Sequence, residues 1–113
     1  MDVLSDEQLE GELARLPGWR ATPEGLAAVY RLPSAAAALR FIAAVGEVAE
    51  ELGHHPDLDW RYNRVVLRFA THDAGGKITT LDAAAAHRCL VHAETLDATA
   101  QPERLPGAGG AGG

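Results

Sequence analysis

Apolar residues along this chain recur in two rhythms, one helical and one of period two. Leu9, Leu13 and Leu16 fall at i, i+4, i+7 and predict a helix over residues 5–16. Ser5 is placed to cap it, with Gln8 completing a capping box. Asp6 and Glu7 suit the positive end of its dipole, and Pro17-Gly18 stops it. A longer helical stripe, Leu39, Ile42, Val45, Ala49 and Leu52, widened by Phe41 and Val48, predicts a helix over 35–52. Ser34 is its N-cap and Gly53 its C-terminal cap. Leu81, Ala85, Cys89, His92 and Leu96 predict a third helix over 81–98, opened by Thr79 or Thr80.

Between these stretches the period drops to two. Leu26, Ala28, Tyr30 and Leu32 alternate with Ala27, Val29 and Arg31, which predicts a half-buried strand. The turn at Pro23-Glu24-Gly25 joins it to a short strand over 19–22. Val65, Leu67, Phe69 and Thr71 oppose Val66, Arg68 and Ala70 in the clearest strand of the chain, and a shorter one over 58–62 reaches it through Asn63-Arg64. The order is helix, two strands, helix, two strands, helix. This is an α+β fold, with helices on one face of a four-stranded antiparallel sheet.

At 113 residues the chain has room for one domain, over 1–100, and for a Gly-rich tail over 101–113 that is expected to be disordered. Only 5% of residues are aromatic and alanine is abundant, so the core is thin for its length. Burial between subunits would offset that, which favours an oligomer. The formal net charge is −6 with no run of Lys and Arg, against direct nucleic-acid binding. No apolar run approaches the ~18 residues of a membrane span, and the acidic N-terminus lacks the order of a signal peptide. The single cysteine, Cys89, fits a small buried residue in a reducing compartment. A cytoplasmic location follows as the expectation.

The candidate chemistry lies in residues 50–82, EELGHHPDLDWRYNRVVLRFATHDAGGKITTLD. It holds His54, His55 and His72 together with Glu50, Asp57, Asp59, Asp82 and Trp60. Imidazoles exchange protons near neutrality, and three of them on separate elements suggest an acid–base site on a rigid frame. Continuing the strand alternation by one step puts His72 on the side of Arg68. His87 and His92 read as surface or satisfied core groups, and Gly75-Gly76 as a turn, since no Lys-Ser/Thr pair follows as in a P-loop.

Glu50, His54-His55-Pro56, Tyr62, His72 and Asp82 together resemble the signature of the pterin-4a-carbinolamine dehydratases. Asn63 after the tyrosine and Thr71 before the third histidine agree with it. The likeness runs from about Leu9 to Leu96, and the loop before Asp82 is one residue longer than in the animal members. The resemblance implies an enzyme that removes water from 4a-hydroxytetrahydropterin to give the quinonoid dihydropterin, without metal or redox cofactor. It implies His54, His55 and His72 around the pterin, with His54 and His72 moving protons and His55 orienting the ring system. Glu50, Pro56, Trp60 and Asp82 would complete the substrate site. Family members assemble as dimers or tetramers, so the resemblance implies a homodimer or homotetramer. Animal members also serve as dimerisation partners of a homeodomain transcription factor, and related proteins lacking the histidines assist assembly of ribulose bisphosphate carboxylase. A non-catalytic binding module on the same fold is therefore the alternative, and a metal site made of the three histidines and a carboxylate is a third.

Overall fold

Ser5 opens α1 (Asp6–Ala14) with both halves of the capping box: its hydroxyl accepts from the Gln8 N–H at 3.1 Å, and the Gln8 side chain accepts from the Ser5 N–H at 2.8 Å. This computed structural model describes residues 2–105. After α1 come β1 (Arg20–Thr22), β2 (Gly25–Arg31), α2 (Ala35–Leu52), β3 (Asp57–Arg61), β4 (Arg64–Phe69), α3 (Thr80–Thr95) and β5 (Thr99–Ala100). Single 3-10 turns occupy His72–Ala74 and Pro102–Arg104. The strands form one antiparallel sheet in the order β1-β2-β4-β3, and β5 pairs with the end of β2. The α+β class and helix-covered sheet are as the sequence pattern predicts, with a fifth, two-residue strand added.

Strand alternation sets the core. Leu26, Ala28 and Tyr30 of β2 and Val65, Leu67 and Phe69 of β4 point to the helix-covered face, where α2 contributes Phe41, Val45 and Val48 and α3 contributes Ala85, Ala86 and Cys89. Four of the six aromatics gather there. Trp19 stacks on Phe69 at 6.2 Å and donates its indole N–H to the Tyr30 hydroxyl at 2.9 Å, while Tyr30 meets Phe41 edge-on at 5.5 Å. The indole and phenol are thus buried with their polar atoms satisfied by each other. Burial drives the Tyr30 phenol well above its ordinary pKa.

Four sequence expectations are corrected. Leu39 is half exposed instead of buried. It lies two residues, or about 200°, from Phe41 around the helix, on the stripe shared with the exposed Ala43, Gly46 and Glu50. Ala27 and Val29 are fully buried although they point away from the helices, because Leu105 folds back over them. The expected loose tail from residue 101 is therefore ordered and packed as far as Leu105, and its remainder, 106–113, lies outside the described residues. Finally, β4 ends at Phe69, so His72 belongs to a 3-10 turn and not to a strand end.

Pairing also brings together charges that are scattered in sequence. Arg31 and Arg61 both stand opposite Arg64, which lines up three arginines across β2, β4 and β3 on the face away from α2 and α3. Among the described residues no helix is long and apolar enough to cross a membrane.

Candidate active site

The site begins where α2 stops. Gly53 takes a left-handed conformation at φ 61°, and its N–H together with that of His54 closes on the last helical carbonyls, His54 N–H to Ala49 at 3.0 Å. A residue with a Cβ pays to adopt that geometry, so glycine belongs there. The turn throws His54 inward and His55 outward. His54 lies face to face with core-facing Phe69, ring centroids 5.7 Å apart, and its Nε2 meets Asp82 Oδ1 at 2.5 Å. His55 is largely exposed and places its Nε2 2.5 Å from Glu50 Oε2, so Glu50 serves His55 and not His54.

Asp82 lies in the first turn of α3 and is completely buried. Its second oxygen, Oδ2, accepts from the Thr79 N–H at 2.9 Å and from the Thr71 hydroxyl at 3.0 Å. An ionised carboxylate survives burial only when such donors replace its water. With Asp82 as acceptor, His54 carries its proton on Nε2, which leaves Nδ1 for other work.

His72 comes from the turn after β4. The 3-10 turn that carries it is closed by Gly75, whose N–H bonds the His72 carbonyl at 2.9 Å with φ 70°. Its exposed ring makes no side-chain hydrogen bond among the described residues. His54, His55 and His72 line one surface cavity of about 360 Å³ together with Gly53, Ala70, Thr71 and Leu81. A second cavity of about 240 Å³ shares Ala70 and His72 with it and adds Pro23, Glu24, Asp57 and Gly76. A wider, more open depression along the exposed side of α2, about 520 Å³, shares His55 and also takes in Glu50. Among the described residues no group of three His, Cys, Asp or Glu is arranged to hold a metal ion.

The structure brings together His54, His55, His72 and, beneath them, Asp82. Glu50 stands beside His55 but not on the histidine cavity, and Pro56 links the pair to β3 without lining it. Trp60 is not brought to the cavity. Asp57, opposite Arg68, marks the cavity end of β3, and Trp60, opposite Val65, is three residues towards the other end, about 10 Å away. There its indole donates to the Tyr62 carbonyl at 2.5 Å and its ring is 46% exposed. Sequence reasoning treated Thr79 only as a helix cap. The Thr79-x-x-Asp82 spacing, a capping-box pattern, was the available signal for its link to the site.

A sheet roofed on one face by helices, with three histidines lining one open cavity and two of them against carboxylates, defines an α+β fold with a histidine-lined cavity. The chain belongs to the pterin 4 alpha carbinolamine dehydratase family, whose model matches residues 2–90. It is 41% identical over 88 residues to a protein of Streptomyces avermitilis, 78% of this chain and 87% of that one. A Streptomyces coelicolor protein is 44% identical over 87 residues, 77% and 86% of the two chains. Both are provisionally named pterin-4-alpha-carbinolamine dehydratase. Among solved structures, a Brucella melitensis protein described as a transcriptional coactivator/pterin dehydratase superposes with a TM-score of 0.76 at 29% identity, covering 81% of this chain and 99% of that one.

Proposed function

We propose that this protein is a 4a-hydroxytetrahydropterin dehydratase that works by histidine acid–base catalysis. The observation that carries the reading is the meeting of His54, His55 and His72 on one cavity from the end of α2 and the turn after β4. Loss of water from a carbinolamine needs one proton delivered to the departing hydroxyl and one taken from the neighbouring ring nitrogen, whose lone pair expels that hydroxyl. Two positioned imidazoles on different sides of a flat ring system meet that demand.

In this reading His54 and His72 move the protons. His54 uses Nδ1, because Nε2 is engaged with Asp82, and His72 has an exposed ring with no side-chain hydrogen bond among the described residues. His55 orients the substrate, steadied by Glu50, and Pro56 fixes the turn that aims the pair. Leu81 and Ala70 supply apolar wall for the bicycle. Trp60 has no place at the substrate in a single chain. The family relatives are consistent with a pterin substrate, and the thin core favours a homo-oligomer.

A spectrophotometric dehydration assay tests this on the wild type and on His54→Ala, His55→Ala and His72→Ala. His72→Ala is expected to lose at least about tenfold, the lower end of what a positioned acid or base provides, and His54→Ala a comparable factor. Changes under about twofold in all three would overturn the catalytic reading in favour of a binding module on the same fold.

A further inference from the structure

Behind Asp82 lies a small hydroxyl cluster, of which Thr71 lines the histidine cavity. Thr79 is fully buried and Thr71 nearly so. Their hydroxyl oxygens are 2.8 Å apart, Thr71 Oγ1 is 3.0 Å from Asp82 Oδ2, and Thr79 Oγ1 is 3.3 Å from the same oxygen. Each hydroxyl owns one proton, and an ionised carboxylate only accepts. Two protons must therefore serve three contacts. If Thr71 donated to Thr79, the carboxylate would receive its hydroxyl proton over the longest of the three distances. If Thr79 donates to Thr71 and Thr71 to Asp82, both protons lie on the short contacts and only the long one goes unused.

We infer that Thr79 is a positioning residue for His54, acting through the ordered chain Thr79 hydroxyl to Thr71 hydroxyl to Asp82 to His54. Its hydroxyl holds the Thr71 proton on Oδ2, and its own N–H holds the same oxygen from the other side at 2.9 Å. The carboxylate is thereby locked with Oδ1 turned to His54 Nε2. A buried network of this kind fixes geometry only when every member is satisfied, so loss of one hydroxyl loosens the rest. Among the described residues, the titratable groups that share the hydrogen bond or the cavity of His54 are Asp82 from α3, His55 from its own turn, and His72; the Phe69 ring stacks on the face of His54.

The inference rests on the dehydratase reading for its catalytic consequence but not for its structural one, and the two are separable. Thr79→Val keeps the backbone N–H and the side-chain shape while deleting the hydroxyl, and Thr79→Ser restores the hydroxyl. In the folded wild type without substrate, the His54 Nε2 proton, held on a buried carboxylate, gives a protected low-field proton resonance. In Thr79→Val that proton is expected to exchange with water about tenfold faster, with kcat lowered about tenfold at little changed KM, the range of a misaligned proton-transfer group. Thr79→Ser is expected to recover both. Thr79→Val with wild-type proton exchange and wild-type kcat would overturn the inference, whatever its melting temperature. Changed exchange in a protein whose wild type shows no dehydration would uphold the network and sink the enzyme reading alone. Should Thr79→Val fail to fold, the wild type decides: slowly exchanging hydroxyl protons on both Thr71 and Thr79 support the chain, and rapid exchange of both overturns it.

Discussion

Glu12 shows how a single side chain can tie two helices together outside the site. Its carboxylate accepts from His87 Nε2 of α3 at 2.7 Å and pairs with Arg15 at 3.1 Å. The His87 hydrogen bond, with help from Arg15, holds its carboxyl below the ordinary 4.5 against a smaller opposing effect of burial. A folded value below the unfolded one means stability present above pH 4.5 and lost as the pH falls through the lower, folded value. Glu12→Gln is therefore expected to lower the unfolding free energy from urea melts near neutrality by at most about 1 kcal/mol, the range of solvent-screened pairs. The gap between the two proteins should close in acid, and a gap that stays constant with pH would show that the pair contributes nothing through charge. Single residues were unevenly legible. The histidine pair and His72 could be picked out because residue type and separation are read directly from the chain, whereas the pairings that fix them, Asp82 under His54 and Glu50 beside His55, depend on which way Gly53 turns the chain.

Elements were more readable than their faces. The caps at Ser5, Ser34 and Gly53 are local hydrogen-bonding facts, and each bounds a helix where the sequence places it. The buried side of α2 was less plain, because a helix so rich in alanine has several nearly equivalent stripes, and packing against Tyr30 and Phe69 selects the one through Phe41. The two ends of the same helix logic give opposite expectations for its glycines. Gly46 is exposed inside α2 with nothing within 4 Å of an added Cβ, so Gly46→Ala should stabilise by about 0.5–1 kcal/mol. Gly53 also has open space, but its φ of 61° makes Gly53→Ala cost about 1 kcal/mol. Relief of that strain would shift His54 and His55, so Gly53→Ala should also lower the dehydration rate while Gly46→Ala leaves it alone. Denaturant melts and rates on the two variants check both signs, and equal effects would mean the left-handed cap plays no part in aiming the pair.

For the whole molecule, the feature hardest to foresee is the return of the chain across the back of the sheet. The segment PERLPG reads as tail by composition, and β5 is two residues long, below any periodicity. What orders its part through Leu105 is tertiary: Gln101 donates its N–H to Val29 at 2.8 Å, and Leu105 then covers Ala27 and Val29 beside Val66. The family match ends at residue 90, so this cover lies beyond the span shared with the family model. It also lies on the opposite face of the sheet from His54, which stacks on the core-facing Phe69. Stability and catalysis should therefore separate there. Leu105 is 4% exposed, and Leu105→Ala is expected to cost about 2 kcal/mol, the low end for a buried leucine because the satellite cluster is small and can partly collapse. Leu105→Met, close in volume, should cost less than about 1.5 kcal/mol. Neither should change the dehydration rate by more than about twofold. A Leu105→Ala protein as stable as the wild type would show that the segment merely rests on the sheet, and one that is equally stable but slower would tie this back face to the histidine cavity through the β2–β4 pair.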